Sequence, residues 1–332
     1  MSQDPRCSVI ATFGGPSLQN ATEESLAAIQ AFLIDTYLTV ADLMNLSKVS
    51  CALRFAVREY TKIAYSIDDH LAEFFNQHEI PLFRLLQKET GLLISGSFAL
   101  RFLTRQYFDQ VSDLDLYIED RYGSMALRWL SSIGYARSSR QPPRHRPQCK
   151  IRAVFTLERR GKTIQVIATR SSAFSVILDF HSTCVMNVIT SDYAVSLYPQ
   201  ATLHHMRSVV LHRQGWDERR SAGPLLKYEN RGYEIVYTPE ESDISSRNSD
   251  FFIGRRYLGD SMCWTLELET GYTGLGNPVN GNSWELSWST SRPGRLTHRY
   301  LNLNLPSLKF RYAMDHISNH QVVTLLGRKP SR

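Results

Sequence analysis

Apolar residues near the start of the chain recur in helical steps. Leu43, Leu46, Val49, Leu53, Ala56 and Tyr60 follow one another at intervals of three and four, the spacing that gathers side chains on one helix face. Upstream, Thr22 is placed to cap a helix whose first turn holds Glu23 and Glu24 and whose apolar face begins at Leu26, Ile29 and Phe32. A further helix is predicted over residues 66–75. Residues 21–76 thus read as a helical region. Before it, residues 1–20 carry Gly14-Gly15-Pro16-Ser17 and no periodicity, and are expected to form a flexible lead.

From residue 79 the pattern changes to short, alternating elements. A helix over 80–88, a strand over 91–95, a helix over 98–107, a strand over 113–118 and a helix over 125–133 follow in turn, with Gly134 stopping the last. Residues 153–158 and 163–168 then read as a β-hairpin turned by Arg159-Arg160-Gly161-Lys162. Residues 179–197 are expected to be mainly helical. This order predicts an α+β (mixed α/β) fold, with a core sheet and flanking helices over residues 79–215. A small β-rich region is expected over 225–312, holding Trp264, Trp284 and Trp288, and a tail over 313–332.

Composition narrows the class. The 332 residues are 42% hydrophobic and 21% charged, ordinary for a globular protein and enough for one large domain or two modest ones. No run approaches 18 uninterrupted apolar residues, so no membrane span is expected. The opening Met1-Ser2-Gln3-Asp4-Pro5 lacks a signal-peptide pattern. The five cysteines stand at 7, 51, 149, 184 and 263 without a CxxC pair, which favours reduced thiols over a disulfide framework. The expectation is an intracellular protein, cytoplasmic or nuclear. A net charge of +6 suits phosphate or nucleic-acid partners without demanding them.

The chemistry concentrates in Ile94-Ser95-Gly96-Ser97 and Asp113-Leu114-Asp115-Leu116-Tyr117-Ile118. Alternation along a strand puts Asp113, Asp115 and Tyr117 on one side and Leu114, Leu116 and Ile118 on the other. Two carboxylates on one face of a strand are oxygen ligands of the kind magnesium takes. The turn at Gly96-Ser97 opens a helix whose free N–H groups favour a phosphate. Gly96 allows close approach and Ser97 adds a hydroxyl. Carboxylates, metal and a phosphate cradle together suit phosphoryl or nucleotidyl transfer.

These residues resemble the nucleotidyltransferase superfamily, whose signature is a hydrophobic residue, Gly, Gly or Ser, a spacer and Asp-hydrophobic-Asp. The likeness covers roughly residues 79–190. It implies that Asp113 and Asp115 are catalytic metal ligands for Mg2+ and that Gly96 and Ser97 hold the phosphates of a nucleoside triphosphate. Active members add a third carboxylate on a later strand. Here that strand is Thr163-Ile164-Gln165-Val166-Ile167, and the third-carboxylate position is Gln165. An amide brings no negative charge and is a poor general base. Asp179 is the alternative donor. The resemblance therefore implies nucleotide binding more directly than catalysis.

The densest basic run is Arg137, Arg140, Arg144, His145, Arg146, Lys150 and Arg152. It joins the acidic strand to the hairpin, so Arg144 and Lys150 are expected to contact the triphosphate, or an RNA backbone. His181 and Cys184, with His204, His205 and His212 downstream, carry the residue types of a zinc site without its paired spacing. The segments 94–100, 112–118 and 180–189 also look like a group of fungal proteins that join this core to an F-box-like N-terminus. Residues 41–60 are similar to the later part of an F-box, without its Leu-Pro opening. Two readings stay open: a nucleotide-binding nucleotidyltransferase-like protein, or an F-box-type receptor with a silent core that docks on a Skp-type adaptor of a cullin ubiquitin ligase.

Overall fold

The computed structural model describes residues 38–105, 113–138, 150–213, 218–247, 249–268 and 281–327. Helix α1 (Val40–Val49) starts at a reciprocal cap: Thr39 Oγ1 accepts the Asp42 N–H at 3.2 Å, and the Asp42 carboxylate accepts the Thr39 N–H at 2.8 Å. Ser50 ends α1 and caps α2 (Cys51–Ala64) by accepting the Leu53 N–H at 3.2 Å. The unbroken periodicity of residues 43–60 is thus cut in two, because a serine hydroxyl offers the backbone a better partner at a helix start than inside one. Leu43, Val57 and Tyr60 pack between the two helices, while Val49 is 69% exposed.

Next come α3 (Ile67–Leu71), α4 (Glu79–Thr90), β1 (Leu93–Ser95), α5 (Gly96–Thr104), β2 (Leu114–Glu119), α6 (Asp120–Ser132), β3 (Ala136–Arg137) and the hairpin β4 (Ile151–Arg159) and β5 (Lys162–Thr169). Then follow α7 (Ala173–Ile177), β6 (Asn187–Ile189), β7 (Tyr193–Ser196), β8 (Arg207–Val209), α8 (Glu218–Glu229), β9 (Glu234–Val236) and α9 (Glu241–Ser245). The chain closes with β10 (Gly254–Tyr257), β11 (Trp264–Glu267), β12 (Ser283–Trp288), β13 (Leu296–Arg299), β14 (Leu301–Leu303), β15 (Tyr312–Met314) and α10 (His316–Gly327).

The fold is α+β around an eight-stranded mixed sheet in the order β11-β7-β6-β1-β2-β5-β4-β3. Strands β2 and β5 run parallel, and β1 lies antiparallel to β2 on the other side. Each face has its own core. Ile94, Leu114, Leu116 and Ile118 pack under Phe83, Phe98, Phe102, Ala126 and Leu130 of α4, α5 and α6. On the opposite face Leu93, Tyr117 and Ile167 pack against Phe174 and Val176 of α7 and against Trp284, Leu286 and Leu296 of a small sheet, β10-β12-β13. The central strands are therefore covered on both sides, which fixes their register.

One expectation is corrected. Residues 179–197 are not mainly helical: Thr183–Val185 makes one 3₁₀ turn, and β6 and β7 follow. Every residue from 182 to 190 is buried, so there is no exposed face from which a helical period could be told from a buried strand. The turn between the strands is closed by Thr190 Oγ1, which accepts the N–H groups of Asp192 and Tyr193 at 3.1 and 2.9 Å. Part of the 225–312 region joins the main sheet. Strand β11 pairs with β7 at the edge of the main sheet, and Trp284 lies 5.6 Å from the Phe174 ring. No helix among the described residues is long and apolar enough to cross a membrane.

Candidate functional site

The turn from β1 into α5 places Gly96 at φ 72°, a conformation L side chains rarely adopt. A Cβ there would stand 2.6 Å from Asp115 Oδ2, so the carboxylate rests directly against the bare Cα. The sheet register explains the contact: Ser95 faces Asp115 across the β1–β2 pair. Ser95 does not cap α5; its hydroxyl donates instead to the Asn187 carbonyl at 2.6 Å. The first-turn N–H groups of α5 thus have no side-chain cap, the condition under which a helix start attracts an anion.

The parallel register sets Gln165 of β5 beside Asp115 of β2. Its side chain reaches across, and Gln165 Nε2 donates to Asp113 Oδ2 at 3.0 Å. A carboxylate only accepts, so the amide turns its NH2 toward it. Burial pushes the Asp115 carboxyl up to about 7; the neighbouring Asp113 charge adds to this, and Lys227 opposes it.

Ser97 is the meeting point of the site. Its buried hydroxyl receives Lys227 Nζ at 3.1 Å and Arg231 Nη1 at 3.4 Å, and shares a hydrogen bond of 3.0 Å with Tyr228 Oη. These three residues come from the end of α8 and the turn after it. Tyr228 is buried, with the Arg231 guanidinium 5.3 Å over its ring and the His181 ring 5.7 Å away. Burial drives the Tyr228 hydroxyl up to about 12. Burial and the charge of Arg231 lower the Lys227 ammonium, while Asp115 and Asp113 hold it up. Burial, Arg213 and Lys227 bring His181 down to about 4; one of its nitrogens lies 2.8 Å from the Ser182 hydroxyl.

The structure thus gathers Gly96, Ser97, Asp113, Asp115 and Gln165, as the sequence spacing anticipates. It places Lys150 elsewhere: its ammonium pairs with Asp179 at 2.6 Å and bonds the Tyr300 hydroxyl. Asp179 accepts from the same Tyr300 at 2.7 Å, so both of its carboxylate oxygens are already partnered. Arg144 lies outside the described residues. Of the other basic-run residues, Arg137 lies 5.0 Å over the Phe155 ring and Arg152 pairs with Asp120 at 2.9 Å. Lys227, Tyr228 and Arg231 were not singled out from sequence. Tyr228 is 131 residues from Ser97, and a Lys-Tyr pair followed by Arg one helical turn on is a common surface pattern.

The zinc-like residues are not a cluster. Cys184 is fully buried, which pushes its thiol up to about 11; His204 and His205 stack at 4.3 Å, and His212 lies 2.9 Å from Ser291. Among the described residues, no group of three or more His, Cys, Asp or Glu is placed to hold a metal ion. The magnesium implied by the Asp-Leu-Asp motif meets the same difficulty. Magnesium takes oxygen lone pairs in an octahedral set, whereas the third position adds no charge and presents an N–H donor to one of the two Asp113 oxygens. Two cations, Lys227 and Arg231, stand across the site. These residues do not fit a resident divalent ion.

No protein-family model and no curated protein matches the chain. Among solved structures it is similar to a CCA-adding enzyme from Thermotoga maritima complexed with tRNA, at 17% identity and a TM-score of 0.36, over 52% of this chain and 43% of that one. It is also similar to a CCA-adding enzyme in an apo form, at 15% identity and a TM-score of 0.36, over 52% of this chain and 45% of that one. The matched part is less than half the length of either enzyme.

Proposed function

We propose that this chain is a nucleotidyltransferase-like protein that binds a nucleoside triphosphate at the start of α5. The observation that carries this reading is the convergence of Lys227, Arg231 and Tyr228 on the Ser97 hydroxyl, at a helix start without a side-chain cap. Fixed cations, a hydroxyl and free N–H groups are the donors a phosphate chain takes. Gly96 adds no side chain of its own at this turn, where the Asp115 carboxyl lies against it. Asp113, Asp115 and Gln165 border the same turn. With an amide in place of a third acid, the reading is one of binding, and no transfer step is assigned.

The test is isothermal titration with ATP, GTP, CTP and UTP. At least one is expected to bind, and Ser97→Ala or Lys227→Ala is expected to weaken it about tenfold, the loss of one charge-assisted hydrogen bond. Failure of all four to bind would sink the nucleotide reading. A second reading attaches to α1 and α2, where Val49 and Phe55 are 69% and 64% exposed. Exposed apolar side chains on an F-box-like pair of helices suit docking on a Skp-type adaptor. Co-purification with such an adaptor, lost in Phe55→Glu, supports it; no co-purification of the wild type removes it.

A further inference from the structure

The charges around Ser97 point to how the pocket handles its ligand. Lys227 and Arg231 meet at Ser97 near Asp113 and Asp115, and because burial raises the Asp115 carboxyl to about 7, two positive charges face less than two full negative ones near neutral pH. Lys227 donates to Ser97 Oγ at 3.1 Å and lies within the field of both carboxylates. Arg231 reaches the same oxygen at 3.4 Å. A divalent ion entering here is repelled by two cations and finds one of the two Asp113 oxygens already bound by the Gln165 amide at 3.0 Å. A free polyphosphate meets two cations, a hydroxyl and the uncapped first turn of α5, with the Asp115 carboxyl beside Gly96 as the opposing group.

We propose that this pocket takes its triphosphate without a divalent ion, with Lys227 and Arg231 supplying the positive charge and Gln165 keeping the acidic side unfit for metal. The proposal rests on the phosphate-binding reading above and adds to it the ionic form of the ligand: the free polyphosphate anion, not its magnesium complex. Gln165 has a specific part in it. An acid at this position would join Asp113 and Asp115 in an oxygen-donor set and turn the pocket toward cations. The amide satisfies Asp113 without adding charge.

The experiment is calorimetric titration of the full chain with inorganic tripolyphosphate and with ATP, each in EDTA and in excess magnesium. Both are expected to bind in EDTA, with a Kd no more than about threefold weaker than with magnesium. Lys227→Met with Arg231→Met is expected to weaken both ligands about a hundredfold, at about tenfold for each charge-assisted contact. Thermal melting shows whether that variant is folded, and Lys227→Gln alone serves if it is not. Gln165→Glu is expected to make ATP binding magnesium-dependent. Wild-type binding that requires magnesium overturns the proposal and leaves the nucleotide reading standing. Tripolyphosphate binding in EDTA with no nucleotide binding keeps the proposal and removes the nucleotide. Binding of neither ligand in either buffer removes both.

Discussion

At position 96 two demands coincide. The backbone adopts φ 72°, and Asp115 Oδ2 lies 2.6 Å from where a Cβ would stand. Gly96→Ala is therefore expected to cost about 1–3 kcal/mol of stability, read as a fall in Tm. Because the obstructing atom belongs to Asp115, combining it with Asp115→Ala should recover part of that loss, and a double-mutant cycle measures the coupling. Asp115 also has a pH signature. Burial and Asp113 raise its carboxyl from 3.8 to about 7, so the folded state keeps a proton that the unfolded chain has given up. Its contribution to stability is full below pH 3.8 and is lost as pH rises through about 7. Asp115→Asn should flatten that part of the pH–stability curve from denaturant titrations, and an unchanged curve would contradict the assignment.

Among the elements, α4 shows how a helix is pinned to the sheet by polar contacts rather than by apolar packing alone. Arg84 is buried and donates to the carbonyls of Thr190 and Ser191, in the turn between β6 and β7. Gln87, one turn on, donates to the Ile189 carbonyl at 2.9 Å. Burial lowers the Arg84 guanidinium to about 10. Replacing it with methionine strands two buried carbonyls, and Arg84→Met is expected to cost about 2–3 kcal/mol in urea denaturation. The elements themselves were unevenly legible. The β4–β5 hairpin could be read because Arg160 and Gly161 mark its turn and its strands alternate. The 182–190 segment could not, because burial on all sides erases the period that separates helix from strand. The break at Ser50 was visible only as a serine; whether it caps or continues a helix depends on what packs beside it.

For the whole molecule, the main sheet is completed by the chain's last third. Strand β11 extends it at β7, and Trp284, Leu286 and Leu296 cover the face opposite α4, α5 and α6. A chain ending at residue 249 is therefore expected to lose its cooperative thermal transition, since it uncovers that face and leaves β7 as an edge. A sharp transition retained by the truncated chain would contradict the shared core. Sequence alone determined the Gly96-Ser97 turn and the Asp113–Asp115 alternation, because each depends on spacing within a short stretch; that Gln165 stands beside Asp115 was implied by the family resemblance and is set by the parallel pairing of β2 and β5. Tertiary structure alone decided that Lys227, Tyr228 and Arg231 meet Ser97 and that Lys150 turns to Asp179. Those contacts join residues 29 to 134 positions apart, and no local period records which distant side chains folding brings to one hydroxyl.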